Sequence, residues 1–380
     1  MKIIVATPLY PPEGERIAVY SRQLAKNLGA KHQVTVLTYG YKIEPINNLQ
    51  VVVIDKTKPL PIRLFNYAKS LLALAKSHDL IYVQNAGAIG LPAILVKYLS
   101  RKPVIINFFE DEAFKRAFHQ SLTDQPLEVF LKHPPANAKI KRIIKVQGWV
   151  LRHASLITVS SEYLAKLLSE NYKVSPEKIV VNHLAEDREE KLPLPVLKNR
   201  HQILASGPLL DSSGLDKIIQ AVAKLKEKFA DIQLIITGQG QKKKQLMGLV
   251  QKLKLDSNVK FLGRVSQAEN WYLLKTSSVY VHNFSGWDQN DQITRSLLAK
   301  TSVLAQDNVL NQEILSKNSS GLLFSATKPE DLVSQLDKIL TVESLGEGLT
   351  VRASQNLVDN FSWEFHLNNL NSIFSSLLKK

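Results

Sequence analysis

The chain has no cysteine, which excludes disulfides, thiolate metal sites and a cysteine nucleophile. It fits a reducing, cytoplasmic setting. No apolar run approaches the roughly 18 residues that a membrane-spanning helix needs. The opening "MKIIVATPLYPPEGE" is broken by Pro8 and Pro11 and has too short an apolar part for a signal peptide. A soluble protein, at most peripheral to a membrane, is expected. Neither half carries G-x-G-x-x-G, which argues against a nicotinamide enzyme. The net charge of +15 comes with no helix-turn-helix, zinc-finger or RNA-binding signature. Nucleic acid is therefore not expected as a partner, and an anionic membrane or an anionic substrate accounts for the charge instead.

What is present is a soluble globular composition, 44% hydrophobic and 22% charged over 380 residues. That length suits two domains of roughly 150–200 residues each. Short β-branched runs alternate with amphipathic helical patterns. "KIIVATPL", "QVTVLTYG", "LQVVVID", "DLIYVQN" and "PVIINFF" read as strands, with helices such as "AVYSRQLAKNLG" and "RLFNYAKSLLALAKS" between them. Near-continuous apolar strands separated by helices predict a parallel sheet covered on both faces. Residues 185–201, "AEDREEKLPLPVLKNRH", are charged and proline-containing and read as a linker. The alternation then restarts with "QILASGPL" and continues through "IQLIITGQG", "NVKFLGRV", "SVYVHNF", "SVLAQD" and "GLLFSA". The expected domains are 1–184, 202–355 and a closing helix within 356–380 that returns to the first domain. That helix, "WEFHLNNLNSIFSSLL", needs a surface on which to bury Phe365, Leu367, Leu370 and Ile373.

The order of these pieces is specific. "PLYPPEG", "ASLITVSSEYL", "PEKIVVN", "TGQGQKKKQL", "VKFLGRVS", "SGLLF" and "FSWE" follow one another as in the family-4 glycosyltransferases, and the chain resembles that family over nearly its whole length. The resemblance implies the GT-B fold, an α/β architecture of two facing Rossmann-like domains with a cleft between them. The second domain would hold a nucleotide-sugar donor and the first an acceptor. Gly207, Gly214, Gly238, Gly240 and Gly263 would be the remaining donor-side positions. Gly238 and Gly240 follow a strand and precede a helix, where bare backbone lets a ligand come close.

The family stabilises the departing diphosphate with three devices, and this sequence departs from each. A Gly-Gly pair in the first loop reads here as Gly14, Glu15 and Arg16. An Arg and a Lys in a glycine-bounded segment read as Pro208 and Ser213, between Gly207 and Gly214. A glutamate pair reads as Trp287 and Arg295, followed by changes at Asp288, Lys300 and Ser302. Guanidinium only donates, so it cannot replace a carboxylate that accepts from hydroxyls. Losing one donor of this kind costs on the order of 3–4 kcal/mol of transition-state stabilisation. A rebuilt anion site from Arg16, Arg295 and Lys300 is the competing reading of the same substitutions.

On the acceptor side, "INFFEDEAFKRAFH" begins where the family has an acidic segment that contacts sugar. Asp111 is the residue carried over by that resemblance, with His119 as a candidate base. A solvated acidic loop is the alternative. No metal and no cofactor are expected, the nucleotide sugar being a substrate. His183 and His282 read as strand-end residues.

Between Val129 and Ser161 there is no acid, while Lys132, Lys139, Lys141, Arg142, Lys145 and Arg152 lie inside. Ile140, Ile143, Ile144, Val150 and Leu151 make an apolar stripe beside them. One reading of Lys139, Lys141, Arg142 and Lys145 is a patch for anionic lipid; the other is a core helix with a solvated face. Two functions stand from the sequence. One is a poorly active or inactive homologue that serves as a binding or assembly partner of an active glycosyltransferase. The other is an active retaining glycosyltransferase moving a hexose to a glycan or lipid-linked acceptor.

Overall fold

The computed structural model describes residues 1–41, 49–186, 197–210, 213–283, 291–315, 320–342, 345–351 and 361–379. The chain divides into two compact units, Met1–Leu184 with Trp363–Lys380, and Ala185–Ser362.

The first unit is built on a seven-stranded sheet in the order β3-β2-β1-β4-β5-β6-β7. Its strands are β1 (Lys2–Thr7), β2 (Gln33–Gly40), β3 (Gln50–Asp55), β4 (Leu80–Gln84), β5 (Val104–Asn107), β6 (Leu156–Val159) and β7 (Ile179–Val181). All pairings are parallel. The connecting helices are α1 (Arg16–Gly29), α2 (Leu60–Ala75), α3 (Gly90–Ser100), α4 (Glu112–His119), α5 (Leu127–Lys132), α6 (Ala138–His153) and α7 (Glu162–Tyr172). Residues 80–84 are buried throughout, as expected of a strand covered on both faces. The chain order reverses between β1 and β4, so the carboxyl ends of these strands form the crevice where open α/β sheets bind ligands.

The second unit repeats the design with six parallel strands in the order β10-β9-β8-β11-β12-β13. They are β8 (Asn199–Ser206), β9 (Gln233–Thr237), β10 (Val259–Gly263), β11 (Ser277–His282), β12 (Ser302–Gln306) and β13 (Leu322–Phe324). The helices are α8 (Leu215–Leu225), α9 (Lys243–Lys252), α10 (Gln267–Thr276), α11 (Asp291–Leu298), α12 (Val309–Leu315) and α13 (Pro329–Thr341). Here the order reverses between β8 and β11. Strand β8 starts at Asn199, inside the stretch read as linker. Its first residues are exposed and polar, so they carry no apolar signal that would mark a strand.

The last described helix, α14 (Trp363–Leu378), packs in the first unit, with Leu370, Ile373 and Phe374 in the same core as Tyr20, Leu24 and Tyr82. The sequence expectation for Phe365 fails. It is 36% exposed, and its neighbour His366 is buried instead. The reason is the phase of the helix: His366, Leu370, Ile373 and Phe374 recur at helical spacing on one face. The imidazole satisfies both nitrogens there, with Nε2 2.8 Å from the Tyr20 hydroxyl and Nδ1 2.7 Å from the His183 carbonyl.

Candidate functional site

In the second unit, the loop after β8 folds back against the loop after β9. The Gly207 N–H donates to the Thr237 carbonyl at 3.1 Å, and Leu209 N–H donates to the Gln239 carbonyl at 3.0 Å. Lys242 N–H in turn donates to the Leu209 carbonyl at 3.0 Å. This seam explains two glycines. A Cβ on Gly238 would lie 1.9 Å from the Gly207 carbonyl oxygen, and one on Gly240 would lie 2.3 Å from that of Leu209. The close approach is thus made by the neighbouring loop of the same unit, and the Gly238 N–H is taken by the Gly263 carbonyl at 2.7 Å. Gly214 precedes α8 in a left-handed conformation, its carbonyl accepting from Asn283 Nδ2 at 2.8 Å. Around Gly207 and Gly263 the Cβ positions are open.

The substituted positions have local uses. Ser213 is only 4% exposed, and its hydroxyl donates to the Leu210 carbonyl at 2.6 Å. Pro208 supplies no N–H. Arg295, on α11, donates through Nε to Glu186 Oε2 at 2.9 Å. The Lys300 carbonyl accepts from Lys198 Nζ at 2.5 Å, and Ser302 is buried in β12. His282 is buried beside the Tyr280 hydroxyl, 3.1 Å from Nδ1, and burial lowers its pKa to about 4. Trp287 and Asp288 lie outside the described residues.

In the first unit, the carboxyl ends of the strands frame a pocket of about 480 Å³. Pro8, Leu9, Glu15 and Ile17 reach it from the loop after β1 and the start of α1; Tyr39 and Lys56 come from the ends of β2 and β3. Arg63 comes from α2, Asn85 and Gly87 from the loop after β4, and Glu110, Glu112, Lys115, Arg116 and His119 from the segment after β5. His119, singled out from the sequence, lines this pocket; Asp111 does not. Asp111 caps α4, accepting from the Phe114 N–H at 2.8 Å, from Gln147 Nε2 at 2.7 Å and from the Tyr172 hydroxyl at 2.5 Å. Burial still raises its pKa against those donors. The acidic segment is therefore the start of a helix rather than a solvated loop, and it turns Asp111 inward and its two flanking glutamates toward the pocket.

Lys115 bridges Glu110 at 2.7 Å and Glu15 at 3.1 Å. Burial works against its ammonium, but the two carboxylates outweigh that and raise its pKa. Burial likewise raises the pKa of Glu110 against the pull of Lys115. Arg116 Nε pairs with Glu112 at 2.6 Å, and Arg16 lies over the Phe109 ring, 5.0 Å from its centroid. At the other end, Tyr39 Oη and Arg63 Nε are buried with no hydrogen-bond partner among the described residues. Leaving such donors unanswered costs on the order of 1–3 kcal/mol each. Burial raises the Tyr39 pKa to about 12, against the opposing charge of Arg63. No sequence pattern marks this pair, because Tyr39 and Arg63 meet only through the packing of α2 near β2.

The basic helix is α6. Lys139, Lys141, Arg142 and Lys145 are exposed along it. Its apolar stripe is not: Ile140, Val150 and Leu151 are buried and Ile143 and Ile144 half-buried. That corrects the apolar part of the proposed lipid-facing surface. Ile140, Val150 and Leu151 belong to the interior, and the cations are the fully exposed part of the helix that can meet an anionic surface. Among the described residues, no helix is long and apolar enough to cross a membrane, and no group of three or more His, Cys, Asp or Glu side chains is arranged to hold a metal.

Residues 17–189 match the family described as Glycosyltransferase Family 4, and residues 187–356 match Glycosyl transferases group 1. An uncharacterised glycosyltransferase of Methanocaldococcus jannaschii is 22% identical over 377 residues, 96% of this chain and 95% of its own. A second one from that organism is 22% identical over 200 residues, so the match spans about half of each, 52% of this chain and 50% of the relative. Among solved structures, an Anabaena protein crystallised with UDP superposes with a TM-score of 0.75 at 14% identity, covering 99% of this chain and all of the other.

Proposed function

Since this chain belongs to the family-4 glycosyltransferases of GT-B fold, we propose that its donor site is degenerate and that it binds nucleotide sugars weakly, with slow transfer or none. The carrying observation is Ser213. At a position where the resemblance implies a lysine, the side chain is buried and spent on the Leu210 carbonyl. Pro208 offers no cation at the partner position, and Arg295 is already paired with Glu186. A diphosphate leaving group then meets no cation from these three positions, and such fixed donors are usually the largest catalytic contribution. The nucleotide in question is taken to be a uridine nucleotide, in line with the UDP held by the Anabaena protein. A thermal-shift titration with a panel of nucleotide sugars tests the reading, which expects no shift below millimolar ligand.

In this reading the chain acts in the cytoplasm as a binding or assembly partner of an active glycosyltransferase. The exposed cations of α6 hold it at an anionic membrane face through salt-screened attraction. One observation favours the second reading, an active retaining transferase acting on a glycan or lipid-linked acceptor. The pocket of the first unit keeps an ordered set of charged groups at the switch point of its sheet. A chain freed from transfer would have little use for that order. Turnover of a nucleotide sugar by the natural protein would decide for it.

A further inference from the structure

The pocket of the first unit has two chemically different ends. Its strand order places the ends of β2 and β5 on opposite sides of the β1–β4 switch, three strand spacings or about 14 Å apart. At the β5 end, cations and carboxylates answer one another: Lys115 pairs with Glu110 and Glu15, and Arg116 with Glu112. Near the β3 end, Lys56 is paired with Glu13. Arg63 differs from all of these. Among the described residues it has no carboxylate partner, and its Nε is buried without an acceptor. Its guanidinium lies 5.8 Å from the ring centroid of Tyr39. Tyr39 is only 6% exposed, and its hydroxyl is likewise unanswered. Both line the same cavity.

We propose that this end of the pocket binds an oxyanion, the phosphate of a phosphorylated acceptor, held by Arg63 and Tyr39. Two unanswered donors lining one pocket suit a group rich in acceptor oxygens, and the permanent charge of Arg63 selects an anion. Phosphate offers several acceptor oxygens and matches the planar fork of arginine. The acids at the β5 end repel a second anion there and accept from sugar hydroxyls instead. The ligand is therefore oriented, with phosphate toward Arg63 and hydroxyls toward Glu110 and Glu112. A volume of about 480 Å³ falls within the usual range for small-ligand sites. Naming the ligand an acceptor rests on the glycosyltransferase reading; the anion site itself does not.

The test is calorimetric titration of the full chain with glucose, glucose 6-phosphate and inorganic phosphate, and sedimentation with vesicles containing phosphatidylinositol in phosphatidylcholine. The phosphate-bearing probes should bind and glucose should not. Arg63→Gln should weaken that binding about tenfold or more, and Tyr39→Phe by a smaller factor. Arg63→Lys, which keeps the charge, should retain part of it and guards against a folding defect. Dependence on Arg63 with the soluble probes assigns the phosphate to a free sugar phosphate; dependence with the vesicles alone assigns it to a lipid headgroup. Equal binding of glucose and glucose 6-phosphate, or no dependence on Arg63 in either arm, overturns the proposal. A separate UDP titration of the same variants should be unchanged, so failure here leaves the donor-site reading standing.

Discussion

Arg295 and Glu186 form an ion pair, Nε to Oε2 at 2.9 Å, both side chains largely withdrawn from solvent. They are far apart in sequence and come from α11 and from the stretch that opens the second unit. A position that resemblance identifies with a ribose-binding carboxylate thus holds a residue committed to the protein itself. Arg295→Ala should therefore cost stability, up to about 1 kcal/mol for a partly exposed pair, and leave nucleotide affinity as it was. Urea denaturation and a UDP titration of the variant check both halves. Loss of nucleotide binding with stability intact would instead mean a rebuilt anion site.

The seam between the loops after β8 and β9 predicts a strong effect at Gly238. A methyl group there would stand 1.9 Å from the Gly207 carbonyl oxygen, too close for any relaxation short of moving the loop. Gly238→Ala should lower the thermal midpoint markedly, whereas Gly263→Ala meets open space and pays only for its positive φ of 74°, about 1–2 kcal/mol. Comparable midpoints for the two variants would contradict the packing described.

Acid should destabilise the protein over a defined window. His282 and His366 titrate near 6.5 when unfolded, and burial lowers both to about 4 in the folded chain. Between those values the unfolded chain binds protons that the folded chain refuses, so stability present above pH 6.5 is lost as pH falls toward 4. Each shift corresponds to roughly 3 kcal/mol. Denaturant unfolding measured from pH 7 to 4 should show this loss, and His366→Gln should reduce it. The raised pKa values of Glu110 and Asp111 work in the opposite direction, so the comparison with His366→Gln carries the test, and identical profiles for the two proteins would contradict the buried, neutral assignment.

Much of this was legible in the sequence, and the exceptions have physical reasons. The apolar runs of β1, β2, β4 and β9 identify themselves because a strand covered on both faces must be apolar throughout. The phase of α14 is not legible, because an apolar count favours Phe365 over His366, and only the Tyr20 hydroxyl and the His183 carbonyl make the imidazole an acceptable core residue. Asp111 stood out as chemistry because capping and catalysis use the same side chain. Its flanking glutamates reach the pocket only because α4 begins there. The Arg295–Glu186 and Arg63–Tyr39 relationships depend on which elements become neighbours, and no local pattern encodes them.

The exposed cations of α6 yield a membrane prediction. Replacing Lys139, Lys141, Arg142 and Lys145 together with Gln should abolish co-sedimentation with anionic vesicles, since each contributes about 1 kcal/mol near such a surface. The binding of the natural protein should fall with salt. Its failure to bind at low salt would reduce the patch to a solvated face.

Donor affinity tests the central claim most directly. Calorimetric titration of the natural protein with UDP and UDP-hexoses should give dissociation constants no tighter than millimolar. Restoring Pro208→Arg, Ser213→Lys and Arg295→Glu, with Glu186→Gln to avoid facing carboxylates, should tighten binding as a group while single changes do little. Micromolar binding by the natural protein, accompanied by sugar transfer and lost in Arg295→Ala, would contradict the account.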